Sequence, residues 1–282
     1  MFRSLPAIVF ALEPPHNVGL PNYSISGHDT NELMNKPLET NEVTIDVENF
    51  SKAYENQLAV DQLSFQVRAG EVYGMVGPNG AGKTTTLRAL TGIISLSGGA
   101  MRVNGFDVDL NPLSVKQRTA YVPDDPQLFN DLTVHEHFAF TASVYGVEDW
   151  TAKMEKWLAC FELLDKVNAR ASDLSRGMRQ KLAISCAYLY EPAALLLDEP
   201  MTGLDPQGIR MLKNSIVEQA QRGAAIIISS HLLAMVEDIC SHVMVLKQGQ
   251  RQFVGSLDEL KTRFAEEDTN ATLEDVFFNA VS

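Results

Sequence analysis

Two periodicities alternate along the chain. Val43-Thr44-Ile45-Asp46-Val47 and Leu63-Ser64-Phe65-Gln66-Val67 carry apolar side chains at every second position, the pattern of strands buried on one face, and predict an antiparallel flank. Val72-Tyr73-Gly74-Met75-Val76 is apolar throughout, as are the runs 193–197, 224–229 and 243–246. Uninterrupted apolar runs of strand length predict a parallel sheet covered on both faces. Between about 121 and 190 the apolar spacing changes to three and four. Thr133 with Glu136 forms a capping-box signature ahead of Val134, Phe138, Ala142 and Tyr145; Met154, Trp157, Leu158, Phe161 and Leu164 form a second stripe. Both stripes read as core packing. The pattern predicts an α/β architecture with an antiparallel β subdomain, an inserted helical subdomain at about 121–190, and no internal repeat.

Residues 1–41 break every period with Pro6, Pro14, Pro15, Pro21, Pro37 and five asparagines, which predicts a disordered extension ahead of one domain over 42–282. The apolar stretch 5–12 is too short to cross a bilayer and lacks the basic flank and cleavage site of a signal peptide, so neither role is expected of it. The chain has 282 residues and a formal charge of -13, a balance that disfavours a nucleic-acid footprint and polybasic membrane attachment. Cys160, Cys186 and Cys240 have no metal-ligand spacing and predict thiols used as small apolar packing in a reducing setting. His135 and His137 stand two apart, on different sides of a helix, and are not expected to share a metal.

The chemistry begins directly after the first apolar strand, at Gly77-Pro78-Asn79-Gly80-Ala81-Gly82-Lys83-Thr84-Thr85, which opens a helix marked by Leu87, Leu90 and a stop at Gly92. Glycines there allow successive backbone N–H groups to turn around phosphate oxygens and add the positive end of a helix dipole. Lys83 can reach the outer phosphates and the Thr84 hydroxyl can bind Mg²⁺. Leu195-Leu196-Leu197-Asp198-Glu199-Pro200 ends a buried strand in two carboxylates, at the sheet edge where such folds present catalytic groups. Asp198 would hold Mg²⁺ and Glu199 would polarise an attacking water. Ser175, in Leu174-Ser175-Arg176-Gly177-Met178, is either a plain helix cap or, with the bare backbone of Gly177, a second grip for a γ-phosphate.

Taken in order, these segments resemble the ATP-binding subunit of an ABC transporter, over about residues 43–280. The loop from Gly77 to Thr85 is similar to the family's Walker A motif, 174–178 to its signature, and 195–199 to its Walker B strand. Thr202-Gly203-Leu204-Asp205-Pro206 resembles the D-loop, Ser229-Ser230-His231 the switch histidine, and Tyr54 the aromatic residue that stacks on adenine. The resemblance implies a P-loop NTPase core that binds ATP and Mg²⁺, with Glu199, His231 and Lys83 catalytic. It also implies a head-to-tail pair of cassettes, with a second copy or a homologue, on an integral-membrane permease at the cytoplasmic face of the membrane. Two positions depart from the usual pattern. Asp124 replaces a glutamine in the lid loop and joins Thr84 and Asp198 as a candidate metal contact, and the signature reads Leu-Ser-Arg-Gly-Met. Both departures are similar to bacterial exporter-type cassettes. The rival, a soluble cassette ATPase of DNA repair or translation, is disfavoured by the acidic charge, the single cassette and the short span between Lys83 and Asp198.

Overall fold

Strand alternation decides the layering. In a computed structural model describing residues 42–55, 57–230 and 233–264, Leu195 and Leu197 enter one hydrophobic cluster while Ala194 and Leu196 enter another. A strand flanked by apolar layers on both faces is apolar along its body, and β3 (Val72–Val76), β7 (Ala194–Asp198) and β8 (Ala225–Ser230) are buried along their whole length, β7 and β8 ending in the buried polar Asp198, Ser229 and Ser230.

These strands belong to a six-stranded sheet of order β10-β9-β3-β8-β7-β6, completed by β6 (Thr119–Val122), β9 (His242–Lys247) and β10 (Gln250–Ser256). All neighbours pair parallel except β10, which runs antiparallel at the edge. A second, antiparallel sheet has the order β2-β1-β4-β5, from β1 (Val43–Tyr54), β2 (Gln57–Arg68), β4 (Gly98–Val103) and β5 (Phe106–Asp107). Its apolar face, including Ile45, Phe50, Leu63 and Val67, shares a core with Tyr73, Met75 and Leu246 of the parallel sheet.

Helix α1 (Lys83–Leu90) leaves the end of β3, and α2 (Pro112–Arg118) leads into β6. Between β6 and β7 the chain is helical: α3 (Val134–Tyr145), α4 (Trp150–Cys160) and α5 (Arg176–Tyr188) pack Phe138, Trp157, Phe161, Leu182 and Tyr188 together. The capping box forms as expected, with Thr133 accepting from the Glu136 amide and Glu136 accepting from the Thr133 amide. Leu164 departs from its stripe. α4 ends at Cys160, Glu162 adopts a left-handed φ of 56°, and Leu164 opens a separate 3-10 turn with half of its surface exposed. Helices α6 (Pro206–Gln221), α7 (Leu233–Ile239) and α8 (Leu257–Phe264) complete the described chain.

Cys186 and Cys240 are buried, and burial pushes both thiols up to about 12. His137 is engaged on both ring nitrogens: Nδ1 faces the Thr133 carbonyl at 2.8 Å and Nε2 accepts from the Phe129 amide at 3.2 Å. The extension expected over 1–41 lies outside the described residues, as does His231.

Candidate functional site

The parallel strands β3, β6, β7 and β8 end along one edge of the sheet, and the candidate residues leave from those ends. Gly77 follows β3 where a Cβ would stand 2.4 Å from the Leu246 carbonyl of β9, so only glycine lets the chain pass. The loop closes at Gly82, whose φ of 101° suits glycine, and α1 begins without a side-chain cap, its N-terminus turned to the loop. Behind the loop the two sheets meet. Gly249, in the tight turn between β9 and β10, donates to Ala81 O at 3.1 Å and accepts from the Asp61 amide at 2.9 Å.

Lys83 is almost fully buried. Its Nζ donates to Gly77 O at 2.7 Å and to Pro78 O at 3.3 Å, and stands 3.8 Å from Glu199 Oε1. Burial lowers its pKa from the ordinary lysine value, and the Glu199 and Asp198 carboxylates act the other way. Asp198, 3% exposed, ends β7. Its Oδ1 accepts from the Ser229 hydroxyl and its Oδ2 from the Tyr121 hydroxyl at 3.2 Å. The Glu199 amide donates to both Ser229 O and Ser229 Oγ at 3.1 Å. Glu199 takes a left-handed φ of 47°, uncommon outside glycine, which turns the chain sharply at the strand end.

These groups line a cleft of roughly 680 Å³, within the range of small-ligand sites. Asn79, Gly80, Ala81, Gly82, Lys83, Thr84 and Thr85 line it together with Tyr54, Asp124, Asp198 and Glu199. Thr84, Asp198 and Asp124 offer a hydroxyl and two carboxylates, the hard oxygen donors that suit Mg²⁺. Gly77 and Pro78 contribute from behind, through the carbonyls that hold Lys83. Tyr54 is 46% exposed at the rim, with the Lys52 ammonium 5.0 Å from its ring centroid.

Ser175 and Gly177 are not among the cleft's lining residues. Ser175 caps α5, accepting from the Met178 amide at 3.3 Å, and a Cβ on Gly177 would stand 2.5 Å from Gly203 O. Arg176 and Asp124, the two departures noted in the sequence, form an ion pair at 3.2 Å. Sequence reasoning missed Gln57, Leu58, Ala59 and Gln248, which also line the cleft. Gln248 and Gly249, both at positive φ, form a two-residue hairpin turn, a local signal that says nothing of which site it borders.

A family model described as ABC transporter matches residues 60–202. The ABC-type transporter ATP-binding protein EcsA of Bacillus subtilis is 32% identical over 235 residues, 83% of this chain and 94% of that protein. The chain belongs to the ABC transporter family. Among other relatives of this ABC transporter protein, the Nod factor export ATP-binding protein I of Burkholderia orbicola is 35% identical over 209 residues, 73% of this chain and 69% of that one. A solved structure described as an ATP-binding subunit of an ABC transporter superposes with a TM-score of 0.80 at 32% identity, covering 84% of this chain and 99% of the other. The ABC transporter cassette described here is therefore an ATP-binding, ATP-hydrolysing subunit that powers transport.

Proposed function

We propose that this ABC transporter ATPase is a peripheral subunit at the cytoplasmic face of the cell membrane, one of two cassettes on a separate integral-membrane permease, and that it drives export. The convergence of the phosphate loop, Asp198, Glu199 and Asp124 on one cleft carries the reading. Bound ATP would stack its adenine on Tyr54 and lay its phosphates along Asn79, Gly80, Ala81, Gly82 and Thr85, with Gly77 and Pro78 completing the loop behind them. Lys83 would neutralise the outer phosphates. Thr84, Asp198 and Asp124 would hold Mg²⁺, which neutralises charge on the transferred group. Glu199, with its backbone bonded twice to Ser229, would orient the attacking water.

Because Ser175 and Gly177 do not line their own protomer's cleft, they are available to the γ-phosphate of a facing cassette. This supports a head-to-tail dimer with a second copy or a homologous cassette, His231 acting beside the γ-phosphate. Among the described residues no helix is long and apolar enough to cross a membrane, which supports a separate membrane subunit. The charge of -13 supports a partner other than nucleic acid. Export is supported by the Nod factor export relative and by the acidic lid and Leu-Ser-Arg-Gly-Met signature.

Glu199→Gln tests the chemistry. With Mg-ATP the variant is expected to bind nucleotide, stop turning over and elute as a dimer in size-exclusion chromatography. A monomeric variant with full turnover would remove Glu199 from its role. Co-expression with its integral-membrane permease is expected to give a complex in detergent; stable association with ribosomes or DNA and none with membrane protein would overturn the assignment.

A further inference from the structure

We infer that Tyr121 is a positioning residue for the metal site, its hydroxyl fixing the Asp198 carboxylate and its strand tying that carboxylate to the lid loop. Tyr121 sits in β6, paired in register with Leu196 of β7, two residues before Asp198. Its ring lies in the core cluster that holds Leu196 and Ile227, and its hydroxyl donates to Asp198 Oδ2 at 3.2 Å. Ser229 of β8 donates to the other carboxylate oxygen. With a donor on each oxygen, the carboxylate no longer turns freely, and the direction its remaining lone pairs offer a cation is set by Tyr121 and Ser229 together.

The strand leading to Asp124 and the strand ending in Asp198 meet at this hydroxyl. A shift of the lid loop would be felt at the metal through Tyr121.

This inference rests on the Mg-ATP reading, and the test separates the two. Tyr121→Phe keeps the ring in the core and deletes only the hydroxyl. A fluorescent ATP analogue is titrated against wild type and variant, once in EDTA and once with Mg²⁺, and Mn²⁺ binding in the presence of nucleotide is followed by electron paramagnetic resonance. Metal-free affinity is expected to be unchanged. The gain conferred by Mg²⁺ should shrink about three- to tenfold, the scale of one buried hydrogen bond, with half-saturating Mn²⁺ rising to match. An equal metal-dependent gain in both proteins, or an equal loss of affinity with and without metal, would assign Tyr121 to packing alone and overturn the inference. A wild type that binds nucleotide but gains nothing from Mg²⁺ would overturn the metal reading and this inference with it.

Discussion

Lys83 holds a tightly constrained charge in the cleft: buried, bonded to the carbonyls of Gly77 and Pro78, and 3.8 Å from Glu199. A cation in that position costs desolvation, which the neighbouring carboxylates offset in part, and a polyphosphate would offset it further. Lys83→Ala removes a charge-assisted contact worth about 1.5 to 3 kcal/mol, so ATP affinity should fall about ten- to a hundredfold in a nucleotide titration, with phosphate release falling as well. Unchanged values would take Lys83 out of the site. Asp198 differs from Lys83 in that its partners, Tyr121 and Ser229, are hydroxyls, which orient the carboxylate without cancelling its charge.

At the scale of elements, α3 is fastened at its start by a capping box and by His137, whose ring bridges the Thr133 carbonyl and the Phe129 amide. Burial lowers the pKa of His137 from 6.5, with Arg179 acting in the same direction and the Thr133 bond and Glu136 against it. The unfolded chain therefore takes up this proton before the folded one does. Its contribution to stability is fully present above about pH 6.5 and is lost as the pH falls from there through the lowered folded value. Urea midpoints measured on either side of that pH should show the loss, and His137→Gln should flatten it; an identical slope in the variant would assign the acid sensitivity to other groups. The apolar runs of β3, β7 and β8 were legible in sequence because burial on both faces leaves polar positions only at the strand ends, and the phosphate loop because its glycines are forced by close backbone approach at Gly77 and positive φ at Gly80 and Gly82. Leu164 misled because spacing continues arithmetically past a helix end that Glu162 sets by its backbone. The Tyr121–Asp198 and Asp124–Arg176 contacts were illegible because they join positions 77 and 52 residues apart.

Across the whole molecule, the turn at Gly249 is where the two sheets close behind the phosphate loop. A Cβ there would lie 2.6 Å from Ala59 O, and one on Gly82 would lie 2.9 Å from the same atom. The loop is thus wedged against Ala59 of β2 and the turn at Gly249, backbone contacts that folding itself supplies. Ordering a residue's backbone costs about 1 to 2 kcal/mol, so a loop ordered during folding lets the contacts to phosphate appear in affinity without that deduction. Gly249→Ala, strained at a φ of 78° and crowded against Ala59, should return part of that freedom to the loop. Amide exchange at Ala81, Gly82 and Lys83 should quicken and ATP should bind several-fold more weakly, although residue 249 is not among those lining the cleft. Wild-type exchange rates at those three amides in a folded variant would mean that the loop keeps its shape unaided.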